Sequence, residues 1–465
     1  MTPTRRRVLR ALGATGAIAA AGCTSSDGDN DSNGSDPTIN GSTPENGSDT
    51  DDGETASDPT SSTEAATQAI DLLRAGEYEA IYSRFPSAYQ SSVTIAAIER
   101  IHLGLLAAGG EIQSTEVTDT GMSSGLQTVD LRLELERRPA DVRISTTEEF
   151  ELVGIGLVGE YERASYADPD SFQATEHTLE PDGCQLGATL TTPTDVDAVP
   201  GVVIVHGSGP SDRDATVAAN KPYRDIAEGL ASQGIAVLRY DKRTMACNVS
   251  PAEYTVDRVT VDDALHAISW LRDREAVASD DVTVLGHSLG AMLAPEIADR
   301  DGELAGAVGL AAPARPLTDA FLDQISHLAS VTEHESPAYS QRRDQWENAA
   351  EQIATGNYDA DESLMGYPGA FWTSLDGYDP VDRAESVATE QFYLQGERDY
   401  QVTVEGDFTQ WQSTFGDSTA VSLSTYEDLN HAFLPGEGPS VPAAYGVSNQ
   451  VEKTVVDDVA AWITD

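Results

Sequence analysis

The sequence predicts an α/β fold whose mostly parallel sheet occupies the second part of the chain, preceded by a small α+β domain. From residue 201 onward, short runs rich in Val, Ile and Leu alternate with segments of helical periodicity, as expected for a parallel sheet covered on both faces. Before residue 166, helical segments come first and strand-like runs follow. The predicted domains are therefore 64–165 and 166–465.

The charge balance excludes two classes of partner. The 465 residues include 28 Lys+Arg and 78 Asp+Glu, for a net charge of −50, and the only lysines are Lys221, Lys242 and Lys453. Nucleic acid and anionic lipid surfaces would repel such a protein. An acidic surface with arginine preferred to lysine resembles proteins of extreme halophiles, so we expect folding and activity to need molar salt. No pattern indicates an oligomeric state.

Residues 1–22 are predicted to be an export signal. The segment Thr4-Arg5-Arg6-Arg7-Val8-Leu9-Arg10 resembles a twin-arginine signal, and the apolar run that follows is too short to span a bilayer. The end of that run, Ala20-Ala21-Gly22-Cys23, resembles a lipobox in which Cys23 is lipidated, with Ala20 in place of the usual Leu. We expect an exported protein that contacts the membrane through this lipid anchor only, on the outer face of the cytoplasmic membrane or outside the cell. A basic N-terminus on a cytoplasmic protein is the alternative.

Residues 23–63 are predicted to be a disordered acidic linker. The segment consists almost wholly of Asp, Ser, Gly, Thr, Asn and Pro. Such a composition cannot bury enough apolar surface to fold, and its negative charges repel one another.

The α+β domain is predicted from one long helical region and three strand-like runs. Helical periodicity extends from Glu64 to Ala108, and the strand-like runs are Ile112–Thr118, Leu126–Leu135 and Val142–Val158. Through this element order and Gly76-Glu77-Tyr78-Glu79-Ala80, the segment resembles the small NTF2-like or cystatin-like domains that precede some exported hydrolases. Binding and covering of the following domain both stay open as its role.

In the α/β domain, strands and helices alternate up to a strand at Leu304–Ala311 and resume with a strand at Gln391–Gln395. The interruption, residues 317–376, has helical stretches and the aromatics Trp346, Tyr358, Tyr367, Phe371 and Trp372. We expect a helical lid that forms an acyl pocket above the sheet, with helices packed remotely from the site as the alternative.

The cysteines indicate neither a metal site nor redox chemistry. Cys184 and Cys247 lie in different segments without CxxC spacing. Two buried thiols are the favoured interpretation, and a disulfide between them stays open. No metal or organic cofactor is predicted.

The sequence Gly286-His287-Ser288-Leu289-Gly290 lies between a β-branched run and a helical segment, which predicts a strand, a sharp turn and a helix. In a G-x-S-x-G turn of this kind the serine is strained and exposed at the end of its strand. An incidental serine in a tight connection is the alternative. Gly121-Met122-Ser123-Ser124-Gly125 has the same spacing, but it lies between two strand-like runs and is expected to be a hairpin turn.

A serine nucleophile needs a base and an acid that orients the base. We expect Asp399, in the turn Gln395–Asp399 after a late strand, to be the acid, and His431, in the loop after the last strand, to be the base. Asp399 is preferred to Glu397 because it lies three residues beyond Gly396, and Asp407 is expected to be a solvated helix residue.

The loop His206-Gly207-Ser208-Gly209-Pro210 is predicted to complete an oxyanion hole. Gly207 and Gly209 allow the backbone to approach a substrate oxygen, with Ser208 N–H as one donor and Leu289 N–H, at the start of the helix after Ser288, as the other. His206 is expected to shape this loop.

Residues 166–465 resemble the α/β-hydrolase family, and within it the dienelactone-hydrolase-like and prolyl-oligopeptidase-like esterases. The resemblance rests on the Ser288 turn, on 206–214 and on Asn220-Lys221-Pro222-Tyr223-Arg224 and Arg239-Tyr240-Asp241-Lys242-Arg243. It implies that Arg213, Asp214, Lys221 and Arg243 order the oxyanion loop through ion pairs. Solvated charge stays open for Arg213 and Asp214 and is less favoured for Lys221 and Lys242, since lysine is so rare here.

These observations predict a serine hydrolase that cleaves a small-molecule acyl ester through Ser288, Asp399 and His431. The same groups would serve a peptidase, a thioesterase or an acyltransferase. A non-catalytic cell-surface binding protein on a hydrolase scaffold is the alternative from another class.

Overall fold

The computed structural model describes residues 58–194, 197–334 and 336–465. The predicted export signal, Cys23 and most of the predicted linker lie outside these ranges. Within them, no helix is long and apolar enough to cross a membrane.

The first part of the described chain is a group of helices packed on a four-stranded antiparallel sheet with the order β1-β2-β3-β4. The elements are α1 (Ser62–Ala75), α2 (Tyr78–Ser83), α3 (Ser87–Gln90), α4 (Ile95–Gly109), β1 (Ile112–Ser123), β2 (Leu126–Leu135), β3 (Pro139–Thr146) and β4 (Leu152–Leu157).

One detail of this sheet differs from the sequence prediction, and another confirms it. The run predicted from Val142 to Val158 is divided into β3 and β4 by a turn in which Phe150 adopts a left-handed φ of 66°. The second G-x-S-x-G sequence lies where β1 turns into β2, with left-handed φ angles at Ser124 and Gly125. Ser123 therefore belongs to a hairpin, as expected.

The second part is built on an eight-stranded sheet with the order β14-β13-β10-β9-β7-β8-β6-β5. Its strands are β5 (Phe172–Leu179), β6 (Leu186–Pro193), β7 (Val199–Val205), β8 (Ala236–Tyr240), β9 (Val277–His287), β10 (Gly306–Leu310), β13 (Glu390–Gly396) and β14 (Val421–Tyr426). The six strands β8, β7, β9, β10, β13 and β14 run parallel to one another. In contrast, β6 pairs antiparallel with both β8 and β5.

Helices cover both faces of this sheet. They are α5 (Pro222–Ala231), α6 (Arg243–Ala246), α7 (Asp262–Arg272), α8 (Leu289–Asp301), α9 (Leu317–Ser330), α10 (Pro337–Thr355), α11 (Gly369–Ser374), α12 (Pro380–Glu385), α13 (Thr409–Phe415) and α14 (Lys453–Thr464). One wide turn of π-helix precedes α7 and another precedes α13. Between α10 and α11, the two-residue strands β11 (Ser363–Leu364) and β12 (Tyr367–Pro368) form a small hairpin.

The alternation of side chains along β7 shows how the core is divided. Val203 and Val205 belong to the cluster under α7 and α8, whereas Val202 and Ile204 belong to the cluster under α5 and α14. Because side chains alternate between the faces of a strand, a continuous apolar run fills both layers. The central sheet is thus buried on both faces, as in an alpha/beta hydrolase fold.

The interpretation of the second and third cysteines as two free thiols is wrong, because the structure joins Cys184 and Cys247 in a disulfide. Their Cα atoms lie 6.1 Å apart, within the range that a disulfide spans. Cys184 follows the turn between β5 and β6, and Cys247 follows α6. Sixty-three positions separate them along the chain, so only the tertiary fold brings them together.

Candidate active site

Ser288 lies at the sharp turn between β9 and α8. Its φ of 55° and ψ of −118° place it in a region that side-chain-bearing residues rarely adopt. Both neighbouring glycines are required, because a Cβ on Gly286 would clash with the carbonyl of Gly290, and a Cβ on Gly290 would lie 2.7 Å from the carbonyl oxygen of His206. The strand, turn and helix predicted around Ser288 are therefore all present.

His431 and Asp399 form a buried hydrogen-bonded pair, in which His431 Nδ1 donates to Asp399 Oδ2 over 2.6 Å. The same Asp399 oxygen accepts from Gln395 Nε2 at 3.2 Å, and the other oxygen accepts from the backbone N–H groups of Gln401 and Val402 at 2.7 and 3.1 Å. Because these contacts fix the carboxylate, they also fix the His431 tautomer. Nε2 is left as the basic nitrogen.

The other two carboxylates near this turn have different environments. Glu397 is exposed and accepts from the Thr425 hydroxyl, so it does not compete with Asp399. The expectation that Asp407 is solvated is wrong, since it is fully buried and accepts from Ala314 N–H and from the Arg315 guanidinium. Burial raises the pKa of Asp407 above its usual value, and Arg315 opposes that shift.

Ser288 and His431 line the same cavity. The ring of His287, the residue before Ser288, lies 4.6 Å from the His431 ring, so the base is next to the turn. Within the described residues, Ser288 Oγ and His431 Nε2 are not hydrogen-bonded to each other. Such bonds are often long without substrate and tighten when it binds.

A chain of hydrogen bonds connects the predicted oxyanion loop to the base. His287 Nε2 lies 2.8 Å from the His431 carbonyl oxygen and must donate to it, which leaves His287 Nδ1 to accept from the Tyr223 hydroxyl at 3.1 Å. The Tyr223 oxygen in turn accepts from Gly207 N–H at 3.3 Å. Burial, with a contribution from nearby His431, lowers the pKa of His287 to about 3, so the ring is neutral at physiological pH.

The predicted oxyanion residues surround Ser288. Ser208 and Gly209 line the cavity, and a Cβ added to Gly207 would lie 3.1 Å from Ser288 Cβ. Among the described residues, the backbone N–H groups of Ser208 and Leu289 have no hydrogen-bond acceptor, so both are available to a substrate oxygen.

His206 is buried at the start of the oxyanion loop, and burial together with nearby Lys242 lowers its pKa to about 3. The ring is therefore neutral at physiological pH. A neutral, buried imidazole packed against Tyr223 and Tyr240 fits the expected role of shaping the loop rather than acting as a base.

Ion pairs hold the continuation of this loop. Asp214 pairs with Lys221 at 2.9 Å and also with Arg239, and Arg213 pairs with Asp241 at 3.0 Å. Thus Arg213 and Asp214 are engaged rather than solvated.

Arg243 has a different position from the one that the resemblance implies. It is buried against Asp263 of α7 and donates to the Pro181 carbonyl, so it braces the turn between β5 and β6.

The cavity above Ser288 has a volume of about 720 Å³ and is mainly apolar. Among the residues that the structure describes, five tyrosines line it, and Asp212 is the only acidic or basic side chain other than histidine in its wall. The tyrosines are Tyr223, Tyr254, Tyr367, Tyr400 and Tyr445. Such a volume fits a small-molecule ligand.

The insertion between β10 and β13 contributes to the cavity through one short hairpin. Tyr367, with neighbouring Gly366, is the only one of its predicted aromatics that lines the wall within the described ranges. Phe371 and Trp372 are buried in the core instead, where Phe371 stacks on Tyr367 and Trp372 makes an edge-to-face contact with Phe321. The insertion thus forms part of the pocket, while most of its aromatics hold it onto the sheet.

The N-terminal helices pack against the segment that follows His431. Gly104 of α4 touches Ala443 so closely that an added Cβ would lie 2.7 Å from Ala443 Cβ. Val441, Ala444 and Val447 belong to the apolar core of the N-terminal part, and the neighbouring residue Tyr445 lines the cavity.

His102 is buried on α4, and its Nδ1 lies 2.8 Å from the Tyr78 hydroxyl oxygen, within hydrogen-bond distance. These contacts are those of a core histidine.

Several residues of the site were not identified from the sequence. Tyr223 and Gln395 lie within segments that the family resemblance and the Asp399 turn already contained, but their roles depend on contacts across the fold. The rarity of lysine was the one sequence signal that favoured a role for Lys242, which is buried behind the oxyanion loop. No group of His, Cys, Asp or Glu side chains in the described ranges is arranged to hold a metal ion.

Comparison with known proteins gives matches over the second part of the chain. Residues 202–445 match the model of the Alpha/beta hydrolase family. The chain is 38% identical over 304 residues to Esterase EstD of Thermotoga maritima, an alignment that covers 65% of this chain and 70% of that protein.

Solved structures of lower similarity also match. The Pyrococcus furiosus esterase Pf2001 is 17% identical, with a TM-score of 0.40 over 66% of this chain and 94% of that chain. Est1E from Butyrivibrio proteoclasticus is 14% identical, with a TM-score of 0.40 over 62% of this chain and 97% of that chain.

Proposed function

Because the chain belongs to the alpha/beta hydrolase family, we propose that it is a serine esterase that cleaves uncharged carboxylic esters through an acyl-enzyme intermediate. The observation that carries this proposal is the Asp399–His431 pair beside a cavity that Ser288 also lines. The 38% identity to an esterase over 70% of that protein supports an ester as the substrate.

In the proposed mechanism, Ser288 Oγ attacks the acyl carbon while His431 Nε2 takes the hydroxyl proton. The carbonyl oxygen becomes an oxyanion, which accepts hydrogen bonds from Ser208 N–H and Leu289 N–H. When the tetrahedral intermediate collapses, the ester C–O bond breaks and the leaving alkoxide takes the proton from His431. Asp399 supports the transient imidazolium.

Water then hydrolyses the acyl-enzyme by the same route. His431 Nε2 removes a proton from the water, whose oxygen attacks the acyl carbon, and the second intermediate collapses to release the carboxylic acid. Ser288 recovers its proton from His431. These steps involve no group beyond the residues already placed around the cavity.

The cavity wall supports the proposal of an uncharged substrate. In the described part of the chain, Asp212 is its only acidic or basic side chain other than histidine, and no Lys or Arg lines the space above Ser288. A carboxylate on the substrate would find no counter-ion there and would meet a protein of net charge −50.

The proposed location is outside the cytoplasm, with a lipid on Cys23 as the membrane anchor. The twin-arginine and lipobox resemblances support it. The Cys184–Cys247 disulfide also supports it, since such bonds persist mainly in oxidising compartments.

A series of p-nitrophenyl esters from acetate to laurate, assayed in molar salt, tests the proposed activity. We expect turnover by the wild type, a fall to nearly the uncatalysed rate in Ser288→Ala, and no change in Ser123→Ala. Turnover of peptide or thioester substrates in place of every ester would identify a peptidase or thioesterase, and turnover that depends on an added alcohol would identify an acyltransferase. No turnover of any of these would favour the binding protein.

A further inference from the structure

Lys242 is a buried lysine that holds the oxyanion loop at two points. It follows β8 and is only 2% exposed. Its Nζ donates to the carbonyl oxygen of Gly207, and its backbone N–H donates to the Ser211 carbonyl at 3.0 Å. The oxyanion loop, which follows β7, is therefore hydrogen-bonded to the segment that follows the neighbouring strand β8.

The Gly207 carbonyl belongs to the same peptide unit as the Ser208 N–H. That unit is trans, as are all the peptide bonds of the described chain, so its C=O and N–H point in opposite directions. Because the carbonyl oxygen accepts from Lys242 Nζ, the N–H of the same peptide must point the other way. Ser208 lines the cavity, and Gly207 lies against Ser288, so that direction is toward the substrate.

We propose that Lys242 is a positioning residue that fixes the 207–208 peptide plane and so directs the Ser208 N–H at the substrate oxyanion. The inference rests on the proposed function of the site. When Lys242 is protonated, its charge adds to the geometry, because a cation at the carbonyl oxygen polarises the peptide and makes its N–H a stronger donor.

The surroundings of Lys242 show that its partner is the peptide and not an acid. The nearby carboxylate of Asp263 is already bound at both oxygens by Arg243. Among the described residues, no ion pair involves Lys242, whereas Lys221 and Lys453 both pair with an aspartate. A buried ammonium without a carboxylate partner costs free energy, and burial accordingly lowers the pKa of Lys242 to about 7.

The test compares Lys242→Met with Lys453→Met. Methionine keeps most of the apolar volume and removes the donor, and Lys453 is an exposed lysine on α14 that provides a matched control. With p-nitrophenyl acetate we expect kcat of Lys242→Met to fall about tenfold to a hundredfold, because removing an oxyanion donor costs about a hundredfold or more. KM should change less than about threefold, because the oxyanion forms only in the transition state. Lys453→Met should match the wild type.

A crystal structure of Lys242→Met gives a second readout that does not depend on turnover. We expect the 207–208 peptide to rotate so that the Ser208 N–H leaves the cavity. An unchanged peptide plane, or a kcat equal to that of the wild type, would overturn the inference. Should Lys242→Met fail to fold, Lys242→Gln, whose shorter neutral amide falls short of Gly207, is measured in both ways with the same expectations.

The outcomes separate this inference from the proposed function. A wild type that hydrolyses esters while Lys242→Met retains full kcat would remove the role of Lys242 and leave the esterase intact. A wild type with no activity toward any ester would remove the esterase, and the peptide plane in the Lys242→Met crystal structure would still decide whether Lys242 positions Ser208.

Discussion

His431 Nδ1 lies 2.6 Å from Asp399 Oδ2, and this hydrogen bond joins the loops that follow two neighbouring parallel strands, β13 and β14. Ser288 follows β9, which runs in the same direction and is separated from β13 by β10 alone. The carboxyl ends of parallel strands meet at one edge of a sheet, and this is why three residues far apart in sequence approach one cavity.

Replacing Asp399 by Asn tests the proposed role of the acid. The amide can keep the shape of the side chain but not its charge, and it favours the wrong His431 tautomer, so kcat should fall by about a thousandfold to ten-thousandfold with little change in KM. The measurement is steady-state hydrolysis of p-nitrophenyl acetate. Glu397→Gln, the same change at the exposed carboxylate of this turn, is the control, and equal losses in the two variants would contradict the assignment.

Tyr223→Phe tests the hydrogen-bond chain between Gly207 and His287. The change leaves Gly207 N–H and His287 Nδ1 without a partner, so we expect about 1–3 kcal/mol less stability and a roughly tenfold lower kcat. Urea unfolding and ester hydrolysis measure the two effects. In the control Tyr426→Phe, which removes a hydroxyl that donates to Asp458 at 2.7 Å, stability should fall without loss of kcat. An unchanged kcat in Tyr223→Phe would show that the chain does not position the site.

The parts of the fold that the sequence predicted correctly are those whose signal is local. Gly286 and Gly290 are required by the close packing of one sharp turn. The strands that precede Asp399 and His431, β13 and β14, are short runs of residues with high strand propensity that end at turn residues. Each position follows from its immediate neighbours. The parallel direction of the strands then brings their ends together.

The contacts that sequence did not predict are those made across the fold. Cys184 and Cys247 have no informative spacing, and the partners of Tyr223 come from two separate loops. Asp407 has the spacing of a helix residue, but it pairs with Arg315 from the loop after β10, which periodicity alone does not reveal. Burial of a charge is a property of the tertiary structure.

The disulfide should stabilise the wall of the cavity. It closes a loop of about 60 residues, for which loss of disorder in the unfolded chain corresponds to about 4 kcal/mol. Thr244 and Met245, which line the cavity, lie just before Cys247. We expect reductant to lower the free energy of unfolding by up to this amount and to raise KM, as measured by urea unfolding and ester hydrolysis. The Cys184→Ala/Cys247→Ala variant should have the same free energy of unfolding as the reduced protein, and added reductant should not change it. Identical unfolding with and without reductant would contradict the stabilising role.

Salt should be needed for folding, because the net charge is −50 and acidic residues occur in every segment from Asp27 onward. At about 1 M salt the screening length falls to roughly 3 Å, which suppresses repulsion between exposed carboxylates. We expect thermal stability and activity to rise steeply between dilute buffer and molar KCl, as followed by circular dichroism and ester hydrolysis. Full stability and activity in dilute buffer would contradict this expectation.

The central claim is that Ser288 is the nucleophile, and its covalent modification tests that claim most directly. Intact-mass and peptide mass spectrometry after treatment with a fluorophosphonate should find one adduct, on Ser288, with no adduct on Ser123, whose flanking sequence has the same G-x-S-x-G spacing. His431→Ala should slow the labelling. An adduct on another residue, or none on a folded protein in molar salt, would contradict the account.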